Sequence, residues 1–278
     1  MDMLKGKKVF ITGAASGIGR STAIAMGKMG CRLFLTDIDE NGLKKTDDVI
    51  SNAGGEICLA RAFNVADYQA MTAFAREVHT GYGALDILIN VAGVALFSQV
   101  EDMKHSDWEK VINVNLWGVV HGIECFVPEM IRAGRGGHIV SVSSTAGIIG
   151  LPWHTVYAGT KHALVGISEV LRYDLKKHNI GVSVICPGAV NTGLVQSVEI
   201  HAHSGSTDKF RRLFSKYALS PEKVADIIIN AIRTRKFLVI TSFDIKFLYF
   251  LKRHFFPLYH LIMLAITRFM DKALKRDV

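Results

Sequence analysis

Cysteine is scarce in this chain. The four residues, Cys31, Cys58, Cys125 and Cys186, lie far apart and form no C-x-x-C pair. This excludes a disulfide framework and a zinc ribbon, and implies buried free thiols in a reducing, cytoplasmic setting. Proline is also sparse, five in 278 residues, and no Ser/Gly-rich or low-complexity tract occurs, so nothing marks an internal linker. No secretory leader is visible, because Met1-Asp2-Met3-Leu4-Lys5 runs almost at once into an apolar strand. The net charge of +8 is spread along the chain, and no stripe interleaves basic with aromatic residues. Nucleic acid is therefore not the expected partner. His201 and His203 lack a third nearby ligand type, so no metal site is expected.

What is present is informative. Lys8-Val9-Phe10-Ile11-Thr12 breaks directly into Gly13-Ala14-Ala15-Ser16-Gly17-Ile18-Gly19. A buried strand that ends in glycines and opens a helix lets the backbone lie against a pyrophosphate. Gly13 permits the turn, Gly17 the close approach, and Gly19 the packing of helix on strand, with the main chain around Ser16 and Ile18 facing the anion. Any tight turn between strand and helix can use glycine, so the loop gains weight only beside a second feature at the right distance. Eighteen residues after Gly19, at the end of a second apolar strand, stands Asp37. A carboxylate there accepts hydrogen bonds from the adenosine ribose hydroxyls and repels a 2′-phosphate. Ser16, in place of Lys or Arg, agrees with NAD over NADP. The plainer reading makes Asp37 a turn residue or the cap of a helix near Glu40–Ile50; the ribose role is favoured.

Strand-length apolar runs recur at Val9–Thr12, Arg32–Asp37, Glu56–Phe63, Ile87–Asn90, His138–Val142, Val182–Cys186 and Phe237–Thr241. They are continuous rather than alternating, as in parallel strands buried on both faces. Helix-length patterns lie between them, among them Tyr68–Thr80, Ser106–Arg132 and Tyr157–Lys177. The expected fold is a single doubly wound α/β domain of Rossmann type, with a seven-stranded parallel sheet and helices on both faces. Its ligands bind beyond the C-terminal strand ends.

After the fifth run comes Ser143-Ser144-Thr145-Ala146-Gly147, and thirteen residues beyond Ser144 stands Tyr157, four before Lys161. That spacing puts phenol and ammonium on one helical face. A free tyrosine titrates near pH ~10, and nearby positive charge favours its phenolate. Many surface helices carry such a pair without chemistry. Here it is joined by Asn90-Val91-Ala92-Gly93, Asn113-Val114-Asn115-Leu116 and Pro187-Gly188-Ala189-Val190-Asn191-Thr192. With these motifs in this order, residues 5–195 resemble the short-chain dehydrogenase/reductase family, in its branch with T-G-x-x-x-G-x-G and Y-x-x-x-K.

The resemblance implies that Tyr157 is the general acid/base and that Lys161 lowers its pKa and holds the nicotinamide ribose. It implies that Ser144 orients the reacting oxygen and that Asn115 holds a water in a proton relay. Asn90, Ala92 and Gly93 would line the cofactor cleft on the adenosine side, and Pro187, Gly188, Val190 and Thr192 would surround the nicotinamide amide. The family usually has Asp-Val where this chain has Asn64-Val65, at the adenine amino group; an asparagine oxygen still accepts that bond. The implied activity is NAD-dependent hydride transfer to or from a secondary alcohol or ketone. Two other readings are a nucleotide-sugar epimerase or dehydratase, disfavoured by the glycine spacing, and a non-catalytic NAD-binding regulator, disfavoured by the presence of Tyr157, Lys161 and Ser144.

The catalytic domain is placed at residues 1–244, with a substrate lid at 194–219. Apolar Leu194 beside Leu96 and Trp153 points to a hydrophobic pocket for a steroid-, retinoid- or lipid-like substrate. The chain lacks the terminal Asp-Gly-Gly segment of many tetrameric members, so a homodimer through the helices at Ser106–Arg132 and Tyr157–Lys177 is expected. An amphipathic extension, 245–278, completes the division. Its uncharged run Phe255–Thr267 is too short to span a bilayer. The extension is read as a helix that covers the pocket or packs on a partner subunit. The alternative is a helix lying on an anionic membrane, which would make the protein peripheral to it.

Overall fold

The computed structural model describes residues 3–191, 199–200 and 218–274. Strands β1 (Lys8–Thr12), β2 (Arg32–Asp37), β3 (Glu56–Ala62), β4 (Ile87–Asn90), β6 (Gly137–Val142), β7 (Ile180–Cys186) and β9 (Leu238–Ile240) form one sheet. Their order is β3-β2-β1-β4-β6-β7-β9, and every pairing is parallel. The short strands β5 (Leu96–Phe97) and β8 (Glu199–Ile200) pair with each other outside it. The expected fold class and all seven main strands are borne out. The order reverses between β1 and β4, which opens a crevice at their C-terminal ends.

The continuous apolar strands are explained by burial on both faces. Val9 and Ile11 of β1 enter the layer of α1 (Gly17–Lys28), α2 (Glu40–Asn52) and α7 (Pro221–Thr234). Phe10 between them enters the layer of α3 (Tyr68–Tyr82) and α5 (Gly118–Ala133), where its ring centre lies 5.1 Å from Phe74 and 4.8 Å from Phe126.

One expectation needs revision. The single helix read over Ser106–Arg132 is α4 (His105–Ile112) followed by α5, with a π turn at Asn113–Trp117 between them. Such wide turns insert one residue into the helical ladder and often mark functional sites. In the tail, α8 (Phe243–His254) and α9 (Phe256–Leu274) are separated at Phe255 alone. Pro257 lies inside the first turn of α9, where its missing N–H breaks no helical bond. The helix α6 (Thr155–Asp174) carries Tyr157 and Lys161 and ends close to where it was expected.

Candidate active site

The glycine loop closes on the segment after β4. Thr12 Oγ1 accepts the N–H groups of Val91 and Ala92, each at 3.0 Å. Gly13 has φ +70°, and a Cβ there would stand 3.0 Å from the main chain of Ala92. Gly17 has φ +51°. A Cβ on Gly19 would lie 2.0 Å from the carbonyl oxygen of Gly13, so helix and loop touch backbone to backbone. Ile18 packs on the core beneath.

The start of α1 differs from its neighbours. Asp39 caps α2 by accepting from Gly42, and Asp67 caps α3 by accepting from Gln69 and Ala70. Ser16, extended at the head of α1, makes no such bond, and the first turn holds no acid. The positive end of that helix and its N–H groups are left for an anion. Asp37 stands beside the loop. Its Oδ2 accepts the N–H of Ala15 at 2.9 Å and its Oδ1 that of Asp39 at 3.0 Å. The cap of α2 is thus Asp39, and the carboxylate of Asp37 is fixed beside the glycine loop. Asn64 accepts the N–H of Ala66 at 3.0 Å, and one lone pair of its oxygen remains. Val65 is buried against Gly118, and its carbonyl bonds the His121 ring at 2.9 Å.

Ser144, Tyr157 and Lys161 come together at the ends of β6 and β7. Burial pushes the Tyr157 phenol above its ordinary value, and a hydrogen bond with the Ser144 side chain opposes that rise. Burial also lowers Lys161, to about 8. Its Nζ donates to the carbonyl of Val142 at 3.0 Å and lies 5.7 Å from the centre of the Tyr157 ring. In the protein alone the phenol is therefore raised by desolvation, and the group that opposes the rise is Ser144 rather than Lys161.

Asn115 sits in the π turn, fully buried. Its Oδ1 accepts from the Val94 N–H at 2.8 Å, and its Nδ2 donates to the Val94 carbonyl at 2.9 Å. With both ends of the amide engaged, the side chain clamps the loop after β4. A Cβ on Gly93 would fall 3.1 Å from Asn115 Oδ1 and 3.4 Å from Lys161 Nζ, so these three residues form one wall. Asn90 belongs to the segment expected along the adenosine side of the cleft. It is buried and faces α5, where a Cβ on Gly122 would meet its Oδ1 at 2.7 Å, so its side chain points into the helical layer. Ala92 contributes its main chain.

In the segment after β7, the Pro187 carbonyl accepts from Thr145 at 2.9 Å and the Gly188 N–H donates to Thr241 at 3.2 Å. Val190 is buried and bridges to Leu219. Thr192, Leu194, His201 and His203 lie outside the described residues. Leu96 packs with Val111 and Val156 in a small apolar cluster between α4 and α6. Trp153 is buried in the left-handed region, φ +66°, and its Nε1 donates to Asp271 of α9 at 3.2 Å. Gln99 donates to the same oxygen, so the extension ties together the two loops beside Tyr157.

Four residues that position the site were not singled out from the sequence: Thr12, Ser143, Gly147 and Asp271. Ser143 Oγ donates to the main-chain oxygen of Lys161 at 2.8 Å. A Cβ on Gly147 would lie 2.2 Å from that Oγ. Thr12 could have been found as the hydroxyl heading the glycine motif. Asp271, over a hundred positions from its partners, leaves no local signal.

The doubly wound parallel sheet with a glycine loop at its crevice and an uncapped helix N-terminus is the fold of the dinucleotide-binding class. The model of the family described as short chain dehydrogenase matches residues 7–202, and the chain belongs to that family. Among curated relatives, the "Probable oxidoreductase EphD" of Mycobacterium tuberculosis is 35% identical over 235 residues, 82% of this chain but 40% of EphD. The chain thus spans about two-fifths of that relative's length. The "Putative oxidoreductase SadH" of the same species is 33% identical over 250 residues, 88% of this chain and 90% of SadH. Among solved structures, a short chain dehydrogenase/reductase from Burkholderia phymatum in complex with NAD superposes with a TM-score of 0.83 at 30% identity. That superposition covers 93% of this chain and 96% of the other.

Proposed function

We propose that this protein is an oxidoreductase that uses NAD to interconvert a secondary alcohol and a ketone on a hydrophobic substrate, with Tyr157 as the proton-transferring group. The observation that carries the reading is the grouping of Tyr157 with Ser144 and Lys161, joined through Gly93 and Ala92 to a glycine loop whose helix has no side-chain cap and no acid in its first turn. The NAD-bound relative supports the choice of cofactor, and the Asp37 carboxylate supports NAD over its 2′-phosphorylated form.

The chain's residues fit a nicotinamide dinucleotide. Gly13, Gly17 and Gly19 would let the main chain meet the pyrophosphate, and Asp37 would take the ribose hydroxyls. The bound cofactor supplies the acceptor or donor of hydride. Ser144 donates a hydrogen bond to the substrate oxygen and fixes it beside the phenol. Tyr157 gives that oxygen a proton in reduction and removes it in oxidation. Its raised pKa keeps it protonated near neutrality, so the protein alone holds it ready as an acid. Acting as a base requires added positive charge close by, and the Lys161 ammonium supplies part of that. Exposed Trp117 beside α5, and Val170 and Tyr173 on α6, support a homodimer through these helices.

The test is reduced-nicotinamide absorbance with NAD and NADP in parallel, against aliphatic alcohols, steroids, retinoids and sugar alcohols. Turnover with NAD on an apolar secondary alcohol is expected. A preference for NADP, or for sugar alcohols, overturns the cofactor or the substrate part respectively.

A further inference from the structure

The inner faces of α8 and α9 are fully used. Leu251 and Tyr259 are buried with Ile149. The Tyr259 hydroxyl accepts from Gly150 at 3.2 Å, Lys252 donates to Ile148 at 2.8 Å, and Asp271 holds Trp153 and Gln99. The two helices are thereby fixed on the protein, and their outer faces are a surface rather than a displaced core.

That surface is apolar at its centre. On α8, Phe243, Phe247 and Phe250 recur at four- and three-residue steps and are 83%, 53% and 49% exposed. The ring of Phe250 continues to Phe255 at 6.1 Å, at the corner between the helices. On α9, Phe256, Leu258 and Leu261 are 59%, 49% and 62% exposed. Soluble monomers rarely leave so many large apolar side chains together in water.

The charges around this surface are predominantly positive. Lys246 and Arg253 flank the phenylalanine stripe of α8. Arg268 and Lys272 extend the line of Leu258, Leu261 and Ala265 along the exposed face of α9. Among the described residues of the two helices, the one exposed carboxylate is Asp244, since Asp271 faces inward.

We propose that the outer face of α8 and α9 docks on an anionic phospholipid surface. The phenylalanines and leucines would enter the boundary between headgroups and acyl chains, and the lysines and arginines would reach the phosphates from the rim. The helices would lie on the bilayer, because the uncharged run Phe255–Thr267 falls well short of the ~20 residues a span requires. A second copy seated on the same face would bring like charges together, which disfavours that occupant. The proposal does not depend on the enzyme's substrate, and its test needs no turnover.

The test is sedimentation of the full-length protein with phosphatidylcholine vesicles, with and without phosphatidylglycerol. Binding is expected to the anionic vesicles, with a roughly tenfold loss in high salt. Two double variants separate the contributions, Phe256→Asp with Leu261→Asp, and Arg268→Glu with Lys272→Glu. All four positions are exposed, and retention of the wild-type melting temperature checks the fold. Each pair is expected to lower partitioning by roughly tenfold or more. Absence of binding to anionic vesicles overturns the proposal, as does binding that ignores both pairs. A wild-type dimer that the aspartate pair makes monomeric, with no vesicle binding, assigns the face to a second copy instead.

Discussion

Gly19→Ala isolates the contact between the phosphate loop and its helix. The added Cβ would lie 2.0 Å from the Gly13 oxygen, 2.6 Å from the Gly13 carbonyl carbon and 3.1 Å from the Thr12 oxygen, all main-chain atoms. Relief requires helix and loop to part by roughly 1 Å, since ordinary carbon–oxygen contacts begin above about 3 Å. The loop has little room to retreat. Thr12 ties Val91 and Ala92 behind it, and Gly13 already touches Ala92. Strain of about 1–3 kcal/mol is opposed by a gain of about 1 kcal/mol from replacing a helical glycine. The net change is therefore a destabilisation of about 0–2 kcal/mol, while the N–H groups at the head of the helix are displaced. NAD affinity measured by calorimetric titration is expected to fall roughly tenfold to a hundredfold, about 1.4–2.7 kcal/mol. Gly166→Ala on α6, where a Cβ meets nothing within 4 Å, is the control. It is expected to raise stability by up to about 1 kcal/mol and leave NAD binding unchanged. Wild-type NAD affinity in Gly19→Ala would refute this account of the loop.

Three further outcomes are expected. Asp37→Ser removes the charge that repels a 2′-phosphate, and the ratio of NAD to NADP affinity is expected to drop at least about tenfold; an unchanged ratio removes Asp37 from cofactor choice. Burial holds His138 and His154 down to about 4, against an ordinary value of 6.5. The unfolded chain then binds protons that the folded one does not. Thermal stability should be full above pH 6.5 and fall as the pH drops from 6.5 toward 4, by up to about 3 kcal/mol per group. A melting temperature flat across that window contradicts the burial of both rings. Asn115→Leu leaves the Val94 N–H and carbonyl without their partner, and is expected to cost about 2–3 kcal/mol in denaturant unfolding; a loss below about 0.5 kcal/mol makes the clamp unimportant.

The sheet was legible because its central strands β1, β4, β6 and β7 are buried on both faces and so read as unbroken apolar runs, and because glycines and Asp37 punctuate β1 and β2. The Tyr157, Lys161 and Ser144 grouping was legible as motif spacing along one helix and the strand before it. The π turn was not, since the sequence around Asn115 carries an ordinary apolar period and the interruption accompanies a tertiary bond to Val94. The orientation of Asn90 also escaped, because strand register decides which layer a side chain enters. The rise of the Tyr157 pKa reflects burial by distant segments, which no local spacing encodes. The left-handed Trp153 and its bond to Asp271 join residues far apart in the chain, and only the packed tail brings them together.

The central claim is that Tyr157 transfers the proton in an NAD-linked reaction. The most direct measurement is steady-state turnover and NAD affinity of wild type beside Tyr157→Phe, which removes one oxygen and keeps the ring. The account predicts a fall in kcat of about a hundredfold or more, with NAD affinity unchanged. Turnover in the variant close to that of the wild type would contradict it.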